Sequence, residues 1–133
     1  GILARVPLAS GLLTGKITAE TTFPANDHRN FNRHGQSFDV GETFSGIENF
    51  DTGLQAVEGI RALVPDDVTM AQFALRWILM FDAVTCAIPG AKNSKQASDN
   101  TATVDLPALS DSQMGEITRL YDRFVREQVH FRW

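Results

Sequence analysis

The strongest constraint on the fold of this chain is an apolar run that stops abruptly before a polar, helix-forming segment. Residues 83–88 are almost entirely apolar, and Pro89-Gly90 end the run. Such a run predicts a parallel strand that is covered on both faces. A helix is predicted to begin at Ser94, which can cap it. The result is a strand-to-helix corner, where helix N-terminal amides favour a bound phosphate.

The remaining pattern predicts a second strand and three further helices. The second strand covers residues 2–6. One helix begins at Asp51 or Thr52 and ends near Val64-Pro65, and the next runs from Thr69, with Gln72 completing a capping box, to Asp82. A second capping box, Ser110 with Gln113, begins the last helix. Two strands separated by helices predict an α/β fold with a parallel sheet and a βαβ crossover.

A sheet of two strands is too small to be stable alone in water. We therefore expect further strands before Gly1, so that the chain is part of a longer domain. Without them, its open sheet edges would favour self-association.

A long polar segment, residues 18–51, lies between the first strand and the helices. A connection of this length is usually functional or disordered. Its phenylalanines argue against disorder, because they can anchor the segment on a core. They are Phe23, Phe31, Phe38, Phe44 and Phe50.

Composition excludes several functions. The 133 residues suit one domain, and the net charge of -4 gives no support for nucleic-acid binding. No apolar run approaches the ~20 residues of a membrane span, and the start is unlike a signal peptide. The single cysteine, Cys86, predicts a buried core residue and a reducing, cytoplasmic location.

The side chains of the corner suit an anionic nucleotide. Gly90 and Ala91 allow close approach of the backbone, and Lys92 offers a mobile positive charge for a phosphate. Gln96, together with Asp99 and Asn100 a turn later, can present amide and carboxylate groups to an adenine edge or a ribose. Helix capping alone would explain Ser94 but not the whole set.

The loop over residues 7–16 is the second candidate for phosphate binding. Gly11 and Gly15 open its backbone, and the hydroxyls of Ser10 and Thr14 could line a pyrophosphate. Neither the GxGxxG nor the GxxxxGK[ST] motif is present. Taken alone, the loop is better explained as structural.

Three segments together resemble the aldo-keto reductase family. Pro7-Leu-Ala-Ser-Gly-Leu-Leu-Thr-Gly-Lys16 is similar to the family's loop after the seventh barrel strand. Ala74-Leu-Arg-Trp-Ile-Leu79 is similar to its helix before the eighth strand, and the segment from Ile88 to Asn100 to its NADP-binding signature. The resemblance covers essentially the whole chain. It implies that residues 1–133 are the C-terminal part of a single (β/α)8 barrel domain, incomplete in this chain.

The resemblance also implies roles for individual residues. Residues 7–11 would lie along the cofactor pyrophosphate, and Lys16 and Arg29 would close over the cofactor. Residues around Lys92 would hold the 2′-phosphate of NADP, and Gln96, Asp99 and Asn100 would meet the adenosine. The cofactor residues implied in this way are Pro7, Leu8, Ala9, Ser10, Gly11, Lys16, Arg29, Gly90, Ala91, Lys92, Ser94, Gln96, Asp99 and Asn100.

The family's catalytic tetrad of Asp, Tyr, Lys and His comes from earlier strands, so no catalytic residue is predicted here. The only tyrosine, Tyr121, lies on an apolar helix stripe and is predicted to pack. The three histidines, His28, His34 and His130, lack metal-ligand spacing, and no metal site is predicted.

The implied function is NADP-dependent reduction of aldehydes or ketones by the intact protein, with this chain alone inactive. Two alternatives remain open. One is a nucleotide-sensing barrel protein that resembles potassium-channel β subunits, and the other is a degenerate half-barrel that only dimerises. The substrate and the oligomeric state do not follow from the sequence.

Overall fold

The computed structural model describes residues 1–132 and contains the predicted parallel pair of strands. Strand β1 covers Ile2–Ala4 and strand β2 covers Val84–Ala87. Leu3 is paired with Cys86 and Ala4 with Ala87 in parallel register. The helices α1 (His28–Phe31), α2 (Phe50–Arg61) and α3 (Met70–Ile78) lie between the two strands in sequence. The chain therefore makes one βαβ crossover, as its pattern predicted.

Three helices follow β2. Helix α4 covers Ser94–Thr101, α5 covers Asp111–Phe124 and α6 covers Arg126–Val129. Short 3₁₀ segments complete the described fold at Ala9–Thr14, Val40–Glu42, Phe44–Gly46, Ala102–Asp105 and His130–Arg132.

Both predicted capping boxes are present. In α3 the Thr69 hydroxyl accepts from the Gln72 amide, and the Gln72 side chain accepts from the Thr69 amide. Ser110 and Gln113 make the same reciprocal pair at the start of α5. Each box satisfies backbone donors that a helix leaves unpaired, which fixes these two helix starts locally.

Other predicted boundaries were wrong by a few residues. Helix α2 is capped by Asn49, whose side chain accepts from the Thr52 amide, rather than by Asp51 or Thr52. It ends at Arg61, before Val64-Pro65. Helix α3 ends at Ile78, not at Asp82. Beyond its end, Phe81 turns back and packs edge-on against Trp77, with 5.0 Å between ring centroids.

The core forms where the long segment meets the helices. Phe44 is completely buried, and its ring centroid lies 5.9 Å from that of Phe23 and 5.4 Å from that of Phe50. Arg33 stacks over Phe44 and Phe50, and its guanidinium donates to the carbonyls of residues 47 and 48. Burial lowers the pKa of this guanidinium, and the negative charge of Glu48 partly offsets that effect. Three of the five phenylalanines thus anchor the segment as predicted.

The other two phenylalanines are exposed. Phe31 and Phe38 form an edge-to-face pair at 6.0 Å on the surface, each more than 40% exposed. The turn beneath them is held instead by Asn32, whose buried side chain accepts from the amides of Ser37 and Phe38. At this turn the polar side chain of Asn32 therefore anchors the segment, a role that the sequence suggested for Phe31 and Phe38.

The prediction that β2 is covered on both faces was also wrong for the described residues. Thr85 and Cys86 are exposed, and so are Ile2 and Leu3 of β1 and Ile88 beyond β2. Helix α3 packs against β2, but nothing in residues 1–132 covers the opposite side of the pair. Cys86 is therefore not the buried residue that its apolar neighbours suggested.

Helix α5 packs against α2, and Tyr121 is half-buried against the core, in agreement with the prediction that it packs. Its hydroxyl is 2.9 Å from Nδ1 of His130. None of the helices in residues 1–132 combines the length and the apolar character needed to cross a membrane.

Candidate functional site

A cleft of about 840 Å³ lies at the carboxyl ends of β1 and β2. In a parallel sheet these ends meet at one edge, which is where α/β proteins bind ligands. Of the fourteen residues predicted to hold a cofactor, twelve line this cleft. The twelve are Pro7, Leu8, Ser10, Gly11, Lys16, Arg29, Gly90, Ala91, Lys92, Gln96, Asp99 and Asn100.

The two exceptions have different environments. Ala9 is 6% exposed and belongs to the core behind the loop. Ser94 is exposed at the first position of α4 and is absent from the cleft lining. The structure therefore brings these two to the neighbourhood of the cleft, but not to its wall.

Side chains of the corner itself shape the turn between β2 and α4. The cap of α4 is Asn93, whose side-chain oxygen accepts from the Gln96 amide at 2.9 Å. The expectation that Ser94 caps the helix was therefore wrong. The Gln96 side chain accepts in turn from the Lys92 amide at 2.7 Å. These bonds fix the backbone that carries Lys92 and leave its ammonium group exposed at the cleft.

The loop after β1 is shaped by left-handed backbone. Ser10 has φ of 55° and Gly11 has φ of 96°. The Ser10 hydroxyl donates to the carbonyl of Glu42 at 2.8 Å, and the Thr14 hydroxyl donates to the carbonyl of Gly11 at 2.6 Å. Both hydroxyls that were candidates for a pyrophosphate are thus already engaged within the protein.

Arg29 reaches the cleft from the long segment and is held by three kinds of contact. Its Nε and Nη2 donate to the two carboxylate oxygens of Asp27, at 2.9 and 2.6 Å. Nη1 donates to the Ser10 carbonyl at 3.3 Å, and the guanidinium lies 4.4 Å from the centroid of the Phe23 ring. A planar fork paired with a carboxylate in this way is strongly oriented.

The Asp27–Arg29 pair also changes the titration of both groups. The hydrogen bonds from Arg29 hold the pKa of Asp27 well below its ordinary value of 3.8. The same pairing raises the pKa of Arg29. At neutral pH the pair is therefore fully ionised, and Arg29 keeps its position at the cleft wall.

Among the charged side chains that line the cleft in the described part of the chain, the carboxylates of Glu42 and Asp99 have ion-pair partners, whereas two ammonium groups do not. The carboxylate of Glu42 pairs with Arg5, and that of Asp99 pairs with Lys95 at 2.7 Å. Within residues 1–132, the ammonium groups of Lys16 and Lys92 have no ion-pair partner. The cleft therefore offers uncompensated positive charge, which suits an anionic ligand.

Sequence reasoning missed the contribution of α3 to the cleft. Thr69, Ala71 and Gln72 line its wall, and the Gln72 side chain donates to the Asp99 carbonyl at 3.0 Å. A signal was available, because a helix that leads into a parallel strand begins at the carboxyl edge of the sheet. Thr14, whose hydroxyl was a candidate for a pyrophosphate, also lines the cleft. Other lining residues not predicted are Val6, Ile17, His28, Glu42 and Ile88.

No group of three or more His, Cys, Asp or Glu side chains within residues 1–132 is placed to hold a metal ion.

Comparison with known proteins gives a consistent picture. The profile of the Aldo/keto reductase family matches residues 1–122. A probable voltage-gated potassium channel subunit beta from Arabidopsis thaliana is 28% identical over 127 residues, covering 90% of this chain and 35% of that protein. The aldo-keto reductase yakc of Schizosaccharomyces pombe, whose name carries NADP(+), is 29% identical over 122 residues, covering 91% of this chain and 33% of that protein.

The fold is also similar to a solved structure. The glycerol dehydrogenase from Gluconobacter oxydans superposes with a TM-score of 0.72 at 29% identity, covering 92% of this chain and 34% of that one. The chain thus spans about a third of the length of the proteins it matches. The predicted fold class, an α/β chain that is part of a (β/α)8 barrel, is confirmed.

Proposed function

This chain belongs to the aldo/keto reductase family, and we propose on that basis that its cleft binds NADP(H) in an oxidoreductase that reduces aldehydes or ketones. Family membership supports the general class of oxidoreductase. Three points are proposed beyond this class: that the cofactor is NADP, that the residues of the cleft bind it, and that the substrate is a carbonyl compound.

The observation that carries the proposal is the convergence of two distant segments on one cleft. Residues 7–16 follow β1 and residues 88–100 follow β2, and they face each other across the carboxyl edge of the sheet. A phosphate-rich ligand fits this arrangement, since Lys16 and Lys92 lack ion-pair partners within residues 1–132. A volume of about 840 Å³ is within the range of small-molecule and cofactor sites.

The proposed contacts differ along the cleft. Lys92 would neutralise the 2′-phosphate, with Gly90 and Ala91 allowing close approach and Ser94 contributing from the exposed first turn of α4. Gln96, Asp99 and Asn100 would meet the adenosine. Residues 7–11 would contact the pyrophosphate through backbone rather than through hydroxyls, since the Ser10 and Thr14 hydroxyls are engaged.

Lys16 and Arg29 would complete the enclosure of the pyrophosphate. Arg29 is oriented by Asp27 before any ligand binds, so little side-chain entropy is lost on binding. Ala9, which is buried, would act through the backbone of its loop. When bound, the nicotinamide of such a cofactor supplies the hydride, and the protein supplies binding, orientation and electrostatics.

We further propose that residues 1–133 form the C-terminal part of one barrel domain. The catalytic tetrad of this family would come from other strands of that domain, in a cytoplasmic protein. On this proposal the chain supplies a cofactor-binding wall and has no reductase activity alone.

A second function has a specific observation in its favour. One relative carries the name of a probable potassium channel subunit beta, so a nucleotide-sensing role on the same barrel is the alternative. Both functions use the same cleft, and they differ in the rate at which the nucleotide is turned over.

The test is steady-state oxidation of NADPH by the full-length protein with a panel of aldehydes and ketones, followed by absorbance at 340 nm. Turnover on the order of 1 s⁻¹ or faster supports the reductase. Tight nucleotide binding with turnover slower by orders of magnitude supports the sensing role. Reduction by residues 1–133 alone, in a preparation free of contaminating reductases, would contradict the proposed division of labour.

A further inference from the structure

Ser10 makes more contacts with the long segment than any phosphate-binding role requires. Its hydroxyl donates to the Glu42 carbonyl at 2.8 Å and accepts from the Phe44 amide at 3.2 Å. The same oxygen lies 3.3 Å from Nε2 of His28. A serine hydroxyl has one donor and two acceptor positions, so these three partners use all of them when Nε2 of His28 carries a proton.

The backbone of Ser10 contributes a fourth contact. Its carbonyl accepts from Nη1 of Arg29 at 3.3 Å. All four partners belong to residues 28–44, which are separated from Ser10 by 18 to 34 positions in sequence. One residue of the loop after β1 is therefore the meeting point for both ends of the segment that borders the cleft.

The backbone conformation of Ser10 and Phe44 indicates that forming this contact costs conformational free energy. Ser10 has φ of 55°, and its partner Phe44 has φ of 48°. Left-handed backbone is unfavourable for side chains other than glycine, and it persists where surrounding contacts hold it. The hydrogen bonds of the Ser10 hydroxyl, including that of the Phe44 amide, are among the contacts that hold both residues.

We propose that Ser10 is a positioning residue that fastens residues 28–44 to the loop after β1 at the cleft wall, and that its hydroxyl is not a phosphate ligand. Through this fastening Ser10 sets the position of Arg29 and of the Glu42 backbone at the cleft wall. The consequence for the nucleotide rests on the proposed function, and the fastening itself does not.

The fastening by Ser10 affects the rate at which a bound nucleotide is released. With Ser10 in place, Arg29 and Glu42 stay at the cleft wall. Loss of the hydroxyl frees the 28–44 segment to open, so NADPH dissociates faster while its association rate changes little.

The fastening is tested by hydrogen exchange on the full chain without nucleotide. In Ser10→Ala we expect the amides of residues 28–44, Phe44 above all, to exchange about tenfold faster, the size expected for one lost hydrogen bond. Ser10→Gly removes the same hydroxyl but relaxes the left-handed backbone, so a stable Gly variant with fast exchange in this segment separates the hydroxyl from backbone strain.

The matched control is Thr14→Val. Thr14 lines the same cleft, but its hydroxyl bonds to Gly11 within its own loop, so exchange in residues 28–44 should stay at the wild-type rate. Unchanged exchange in both Ser10 variants, or an increase spread evenly over the whole chain, would overturn the fastening role.

Stopped-flow release of NADPH from the full-length protein then tests the positioning role. We expect dissociation several-fold faster in both Ser10 variants than in wild type, with similar association rates. Faster dissociation without faster exchange in residues 28–44 would instead show a direct contact between the Ser10 hydroxyl and the phosphate, and would overturn the proposal. Unchanged dissociation in both variants would overturn the positioning role. If the wild type binds no NADPH, the proposed function fails, and hydrogen exchange still decides whether Ser10 fastens the segment.

Discussion

Among single residues, Arg29 shows how a charge can be prepared for a ligand before the ligand arrives. Asp27 caps α1 through the Arg29 amide and also accepts from Nε and Nη2 of the guanidinium. Phe23 supports the guanidinium from one side. Because Asp27 and Arg29 are two positions apart, this arrangement is local, yet the sequence did not reveal it. Carboxylates and guanidinium groups at this spacing are common on loops, and only the turn brings them together.

Replacing Asp27 by Asn isolates the ion pair, because asparagine is an equally good helix cap. At pH 7 we expect Asp27→Asn to lower the free energy of unfolding by about 1.5–3 kcal/mol, the range for hydrogen bonds to charged groups. Urea denaturation of both proteins measures the difference.

The pH dependence of that difference has a definite sign. The folded-state pKa of Asp27 lies below its ordinary value of 3.8, so the ion pair stabilises the fold above that pH and loses its effect as the pH falls further. The gap between wild type and Asp27→Asn should therefore be full at pH 6 and shrink below pH 4. A gap that stays constant down to pH 2.5 would show that the carboxylate charge is not the cause.

The sequence predicted the position of a residue correctly where its neighbours along the chain determine that position. It failed where residues distant in the sequence determine it. The cleft position of Lys92 followed from the strand that ends before it. The cap of α4 was assigned to Ser94, one residue away from Asn93, because either type is a good cap and only backbone geometry selects between them. The partners of Ser10 lie up to 34 residues away, and no local pattern contains them.

At the scale of elements, helix starts were more predictable than helix ends. A capping box is written in two residues three positions apart, and both predicted boxes exist. The end of α3 depends instead on Phe81 packing back on Trp77. The packing between helices likewise depends on how the side chains of the two helices fit together. The α2–α5 interface provides a direct test of this dependence.

Two glycines within helices make a matched pair for this test. A Cβ atom at Gly59 of α2 would lie 2.5 Å from a methyl carbon of Leu120 on α5, whereas a Cβ at Gly115 of α5 would meet nothing within 4 Å. Gly115→Ala should therefore raise the free energy of unfolding by about 0.5–1 kcal/mol through helix propensity.

Gly59→Ala gains the same propensity but must displace Leu120. Overpacking costs about 1–3 kcal/mol, so we expect a net loss of about 1 kcal/mol. Urea denaturation of the two variants beside wild type measures both. Equal stabilisation by the two substitutions would mean that α2 and α5 are not packed as closely as the structure shows.

At the scale of the molecule, the two strands present a face that residues 1–132 do not cover. Ile2, Leu3 and Ile88 are each more than half exposed. An apolar strand sequence predicts that a strand is buried, but it does not show which residues cover the strand, so the exposure of Cys86 could not be predicted from its neighbours. The carboxyl edge of the sheet was predictable, since two parallel strands suffice to define it, and the cleft lies there.

The measurement that tests the central claim most directly is calorimetric titration of the full-length protein with NADPH and with NADH. It is repeated for Lys92→Ala and for Lys95→Ala. Lys92 lines the cleft without an ion-pair partner in residues 1–132, whereas Lys95 is outside the lining and pairs with Asp99. The two variants lose the same charge from the same segment, and they differ in the position of that charge and in the Lys95–Asp99 ion pair.

We predict that the wild type binds NADPH more tightly than NADH. Lys92→Ala should weaken NADPH binding roughly 10- to 100-fold, the loss expected for one charged hydrogen bond, and NADH binding much less. Lys95→Ala should have a smaller effect on both. Equal affinity for the two nucleotides with no change in Lys92→Ala, or no binding of either nucleotide, would contradict a 2′-phosphate site at the β2–α4 corner.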